Sequence, residues 1–235
     1  MKKVAVFFLV LVVLAVSLWS VSCARSFQFF GKIISRVETA DKVVALTFDD
    51  GPWNPKYTQS VINTLGSLNV KATFFLNGRG IESNTDSAQA LVSAGHQIGN
   101  HTYSHNRMMF KGLSEVKREI DSTNELIRSI GFEGDIYFRP PYGKKLIVLP
   151  YYLEQQGIVS VTWDVEPESY DGINESSSAI AEYVIGNTKP GSIVLLHVLG
   201  GNNKKARDSL PLIINGLRSK GFKFVTVAEL LSGNT

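Results

Sequence analysis

Val43-Val44-Ala45-Leu46-Thr47-Phe48 runs straight into Asp49-Asp50-Gly51-Pro52. A β-branched and aromatic run of this length, closed by turn residues, predicts a strand. Two adjacent carboxylates at a strand end can diverge, one toward a cation and the other toward a substrate. The Asp-Gly and Gly-Pro pairs read equally well as a plain turn.

Outward from this stretch the chain repeats one theme: a short apolar run, a polar cluster, then an amphipathic stretch. The pattern predicts strands over 43–48, 72–76, 97–99, 136–139, 159–163, 192–196 and 223–227. It predicts helices over 56–68, 87–94, 114–130, 146–156, 176–185 and 208–219. Ser114 is expected to cap the 114–130 helix, with Glu115 near its positive end. Ile120, Leu126, Ile127 and Ile130 give that helix an apolar stripe, and Gly131 is placed to stop it. Strands alternating with helices of this length indicate parallel β–α units. The chain is short for a full eight-fold barrel of about 250 residues, so a reduced or distorted barrel fits better.

Three further clusters carry chemistry. His101-Thr102-Tyr103-Ser104-His105 puts two imidazoles four residues apart, able to converge on one cation or to be two unrelated histidines. Arg139-Pro140-Pro141-Tyr142-Gly143 is a stiff segment whose guanidinium either grips a carboxylate bidentately or forms a surface pair. Ile193-Val194-Leu195-Leu196-His197 sets an ionisable group at the mouth of a buried strand, where a satisfied core histidine is the ordinary reading. Coincidence favours chemistry, because every cluster ends a predicted strand and parallel barrels gather those ends on one face. Of the four histidines only His96 lies outside the clusters, and it is read as structural.

The four clusters, in this order, resemble the polysaccharide deacetylase family, also called the NodB-homology or carbohydrate esterase 4 family. The resemblance covers about residues 42–231. It implies an α/β fold of distorted (β/α)7 barrel type and hydrolysis of acetyl groups on a polysaccharide. It implies Asp50, His101 and His105 as metal ligands, the metal being Zn2+ or another divalent ion such as Co2+, Ni2+ or Mn2+. Asp49 matches the catalytic base and Arg139 the arginine that orients it. Tyr142 matches the residue whose backbone N–H helps hold the oxyanion, and His197 the general acid. Leu195 lies where the acetyl methyl packs.

One motif departs from the family. Asp-x-x-Asp-Trp is usual after the fifth strand; counting from Trp163 puts Glu166, Ser169 and Tyr170 at those positions. Ser169 then stands where a carboxylate supports the acid histidine, which predicts a lowered His197 pKa unless Glu168 or Asp164 substitutes. Tyr170 keeps an aromatic substrate wall with a polar tip. Two competing readings follow: a carbohydrate-binding pseudoenzyme, and a related metal hydrolase of a non-sugar amide.

The N-terminus is of another kind. Lys2 and Lys3 precede an apolar run over 4–19, and no charge returns before Arg25. This reads as an export signal or a membrane anchor over 1–24, with Cys23 as a candidate lipid attachment site. Residues 25–41 are expected to be a linker and 42–235 the catalytic domain. Removing 1–24 deletes two lysines and no acid, taking the net charge from +3 to +1, so basicity says little about partners. No basic cluster alternates with aromatics, so no nucleic acid partner is expected. The partner implied is an acetylated glycan of the cell envelope, peptidoglycan or a chitooligosaccharide, with membrane attachment through the N-terminal segment.

Overall fold

A computed structural model describes residues 2–233. In chain order the elements are α1 (Lys2–Cys23), β1 (Ile33–Ile34), β2 (Val43–Asp49), α2 (Pro55–Ser67), β3 (Thr73–Leu76), α3 (Gly78–Ser83), α4 (Thr85–Ser93) and β4 (Gln97–Asn100). Then come α5 (Leu113–Ser129), a 3-10 turn (Pro141–Gly143), α6 (Val148–Gln155), β5 (Ser160–Val161), α7 (Ser177–Asn187), β6 (Ser192–Leu196), α8 (Lys204–Ser219), β7 (Lys223–Val225) and α9 (Val227–Ser232).

β4, β3, β2 and β6 lie side by side, all parallel. Single bridges from Phe138 to Asn100 and Ser160, and from Val165 to Val194, carry the pairing round the rest of the circuit. β7 pairs only with Val43–Ala45 at the start of β2, below the point where β3 joins at Thr47. β1 pairs with β5, Ile33 with Ser160 and Ile34 with Val161. The result is the expected distorted (β/α)7 barrel.

β2 is buried along its whole length and its two faces serve different layers. Val44, Leu46 and Phe48 belong to the layer between sheet and helices, with Leu65, Ile98, Val184 and Ile213. Val43 and Ala45 belong to the barrel interior, with Phe75, Val161, Trp163, Ile193 and Leu195. Thr47 and Asp49 share the parity of Val43 and Ala45, so the alternation that builds the core also delivers a carboxylate to its upper end. Each large apolar side chain buried in these layers contributes about 1.5–3 kcal/mol.

Several boundaries differ from expectation for local reasons. The 136–139 strand reduces to the single residue Phe138, bridged on both sides, because Pro140 and Pro141 follow and offer no N–H to a ladder. Ser114 does not cap α5: Gly112 takes the extended cap conformation and Ser114 lies inside the first turn. Gly131 does end it, with φ of 89° and its N–H donated to Arg128 O. In the segment 25–41, Ile34 is buried and its carbonyl accepts the Thr162 N–H, so this stretch packs against the barrel.

Gly191 shows how tightly that stretch fits. Its N–H bonds Val43 O, its carbonyl accepts from Val37 N–H, and its φ is +77°. A Cβ there would lie 1.9 Å from Val37 O. Gly191→Ala is therefore expected to cost at least about 2 kcal/mol, from left-handed strain plus displacement of 37–39. A thermal melt checks it; a Tm within a degree of the parent would mean that 25–41 packs loosely.

α1 stands away from the barrel, with its apolar side chains exposed up to Trp19. Among the described residues it is the one helix long and apolar enough, by length and composition, to cross a membrane.

Candidate active site

Asp49 sits where β2 reaches the interior mouth, 3% exposed. Arg139, fully buried, donates from Nη1 to Asp49 Oδ1 at 2.6 Å and to Thr47 Oγ1 at 2.9 Å. Its Nε donates to Val161 O at 3.1 Å and its Nη2 to Thr162 O at 2.9 Å. The grip on Asp49 is thus through one nitrogen, not the bidentate fork expected, because strand-end carbonyls take the other donors. The guanidinium lies 4.0 Å above the Phe75 ring. Burial pushes the Asp49 carboxyl up, but the Arg139 charge and then the histidines outweigh it and hold the pKa below the usual carboxylate range.

Asp50 follows with φ of 74°, which turns its side chain away from that of Asp49. Its Oδ1 lies 3.4 Å from His105 Nε2 and 3.9 Å from His101 Nε2. One ligand atom from each of Asp50, His101 and His105 falls within 4.8 Å of the others. His101 Nδ1 lies 2.7 Å from Arg139 O, and a carbonyl only accepts, so Nδ1 carries the proton and Nε2 presents a lone pair. Asp50 Oδ1 is buried and accepts no hydrogen bond. Burial raises the Asp50 pKa despite the neighbouring imidazoles. An orphaned buried carboxylate oxygen between two imidazole nitrogens fits a divalent transition metal, which would supply the missing partner.

His197, at the end of β6, faces the same point: its Nε2 is 4.0 Å from Asp50 Oδ2. The Glu168 carboxylate accepts from the His197 N–H at 3.0 Å and meets Nδ1 at 2.5 Å. Burial works to lower the His197 pKa, but the Glu168 hydrogen bond and charge, with Asp49 and Asp50, carry it up to about 9. Glu168 is thus the substitute carboxylate, and the lowered pKa expected of Ser169 without one does not arise. Ser169 instead donates to Glu166 Oε1 at 2.9 Å. Asp164 is occupied in structure, accepting from Ser192 Oγ and Ile193 N–H.

Tyr142 is half exposed with φ of 58°, and its ring lies 4.7 Å from that of His105. Leu195 is buried in the interior layer. Tyr170 packs its ring on Tyr183 of α7, 5.2 Å away. His96 is buried, accepts the Ala72 N–H on Nδ1 and has a pKa lowered to about 4 by burial, as a structural histidine would.

Residues not singled out in the sequence hold these loops. Asn77 accepts from Gly51 N–H and donates to His101 O, tying the Asp50 loop to the histidine loop. The Glu119 carboxylate, reaching from α5, accepts from the Ser104 N–H and hydroxyl at 2.8 Å each. Asn77 had a legible signal, since it too follows a strand end. Glu119 on a helix had none.

A family model described as polysaccharide deacetylase matches residues 36–171. A peptidoglycan-N-acetylglucosamine deacetylase of Bacillus cereus is 36% identical over 188 residues, covering 80% of this chain and 67% of that protein. A second Bacillus cereus protein of the same name is 32% identical over 206 residues, covering 86% of this chain and 93% of the other. Among solved structures, the Bc1960 peptidoglycan N-acetylglucosamine deacetylase superposes with a TM-score of 0.78 at 34% identity, covering 84% of this chain and 91% of that one.

Proposed function

The chain belongs to the polysaccharide deacetylase family, and from that premise we propose that it hydrolyses the acetamido group of N-acetylglucosamine residues in peptidoglycan, using a zinc ion held by Asp50, His101 and His105. The observation that carries this is the meeting, at one barrel mouth, of three ligand groups, a buried carboxylate and an imidazole of opposite pKa tendencies. The similarity to Bacillus cereus peptidoglycan deacetylases supports the substrate.

A divalent ion held there supplies Lewis-acid polarisation of the acetyl carbonyl and lowers the pKa of water. Asp49, kept ionised by Arg139, accepts a proton from the attacking water. The Tyr142 backbone N–H donates to the tetrahedral oxyanion, a contribution of roughly 3–4 kcal/mol for a well-placed donor. Leu195 packs against the acetyl methyl. His197, kept protonated by Glu168, gives its proton to the departing nitrogen, which would otherwise leave as an amide anion. The Glu168 contact is the observation against a non-catalytic binding protein, because it restores the carboxylate that Ser169 lacks.

The test is acetate release by the full chain, loaded in turn with Zn2+, Co2+, Ni2+ and Mn2+, from peptidoglycan, chitooligosaccharide and O-acetylated xylan. Release from peptidoglycan with zinc supports the reading, and release from none of them overturns it. Asp49→Asn is expected to keep the metal and lose most turnover.

Glu168→Gln gives a pH test. His197 must be protonated to act, so activity falls as pH rises through its pKa. Removing the carboxylate charge leaves burial dominant, and the basic limb of kcat/KM should move to lower pH by at least about one unit. An unmoved limb would mean that another group serves as the acid.

A further inference from the structure

The end of α1 meets the catalytic domain along a narrow seam. Lys145 N–H donates to Ser22 O at 3.2 Å, and Lys145 Nζ to Ala24 O. Lys144 reaches Cys23 Sγ and lies 4.2 Å above the Trp19 ring. Thr162 Oγ1 donates to Arg25 O at 2.5 Å. From this seam the chain runs on through Phe27-Gln28-Phe29-Phe30. Gln28 is turned inward, bonding Phe30 O and Lys32 O, while Phe27, Phe29 and Phe30 face solvent.

These rings do not stand singly. Phe27 and Phe29 pack edge to face at 5.6 Å, and Phe30 packs on Tyr151 at 5.6 Å. Tyr151 lies one turn beyond Ile147 on α6, bonded N–H to carbonyl, and both are exposed. Ile147 is two residues from Lys145, which closes the patch back onto the seam. Gly31 N–H is pinned to Glu154 at 3.1 Å, so the 27–31 loop is held against α6. Two buried polar residues, Gln28 through its Nε2 and Lys145 through its Nζ, fix a surface whose outer side chains are aromatic and aliphatic.

We propose that Phe27, Phe29, Phe30, Ile147 and Tyr151 form a contact surface for the interfacial layer of a phospholipid bilayer. The proposal rests on reading α1 as membrane-inserted, and adds a second contact made by the catalytic domain itself. Three observations favour lipid over other occupants. The patch is continuous with the carboxyl end of a 22-residue apolar helix. It is rich in aromatics, which sit at the headgroup level of membranes. Lys32, exposed next to Gly31, and Lys144, on the Trp19 ring of α1, place positive charge at the edge of the patch, which favours a surface bearing lipid phosphates. Seated this way, the loop that carries Tyr142 lies next to the bilayer, since Lys144 of the same loop touches α1.

The test uses the full chain in phosphatidylcholine nanodiscs containing 5-doxyl lipid, read by amide relaxation. Amides of 27–30 and 147–151 should relax at least about tenfold more than those of α2 and α8, as expected for groups within about 5–10 Å of the headgroup boundary. Enhancement confined to α1 would overturn the proposal while leaving the anchor reading intact. Enhancement nowhere would remove the anchor reading as well. Two chains per disc with the patch shielded from the spin label would assign it to a second copy, and also overturn the proposal. The triple variant Phe27→Ser, Phe29→Ser and Tyr151→Ser should lose the enhancement at 147–151. It should keep insertion of α1 and turnover on a soluble chitooligosaccharide.

Discussion

Asp50→Ala is expected to remove bound metal and activity in one step. On the proposed assignment this carboxylate is the only anionic ligand of the three, and its Oδ1 has no other partner. Turnover should fall by about three orders of magnitude or more, the scale of one lost electrostatic stabiliser of some 4 kcal/mol. Stability without metal should hold or rise, because a buried carboxylate oxygen that accepts no hydrogen bond is a cost to folding. Metal content after dialysis, acetate release and a thermal melt are read on one preparation. Stoichiometric metal with residual turnover near the parent's would remove Asp50 from the ligand set.

Arg139→Met should have the largest effect on folding. The substitution leaves Asp49 buried without its cation, and leaves Thr47 Oγ1 and the carbonyls of Val161 and Thr162 without a donor. Breaking a buried pair from one side costs about 3–5 kcal/mol, which for a chain of this size lowers Tm by roughly 6–20 °C. The pH dependence changes sign. In the parent, the depressed Asp49 pKa contributes stability at pH above the ordinary carboxylate value, lost as pH falls through the folded value. In the variant, burial is opposed only by the histidines and should raise that pKa, so stability should decline as pH rises from the unfolded value through the raised one. A set of melts between pH 3 and pH 8 would show the two slopes. Parallel curves would mean that Asp49 is held by something other than Arg139.

What the sequence made legible was whatever repeats with a short period or stands at a strand end. β6 matches its expected span residue for residue, and the clusters at 49–50, 101–105 and 197 converge because parallel strands point the same way. Elements too short to show a period were missed: β1 has two residues, and α3 and α9 have six each. Of the two carboxylates named as substitutes for Ser169, the sequence could not choose, and Glu168 is the one that faces His197. Counting from Trp163 assumes a regular rise, but Pro167 starts a turn closed by the Tyr170 N–H, and this rotates Glu168 rather than Ser169 toward the mouth. The arginine–carboxylate contact was foreseen, but not its single-nitrogen form, which depends on the carbonyls of a neighbouring strand end.

Arg139 has one more property, visible when its two ends are considered together. Its carbonyl fixes the His101 ring, while its side chain fixes the Asp49 carboxylate. A thermal excursion of this single residue therefore carries both groups along the same vector, and their separation is buffered against jitter in the backbone. Two groups mounted on one post drift in unison, so the spacing between the proposed proton acceptor and the proposed cation ligand should be among the least variable in the molecule, even where the surrounding loops breathe.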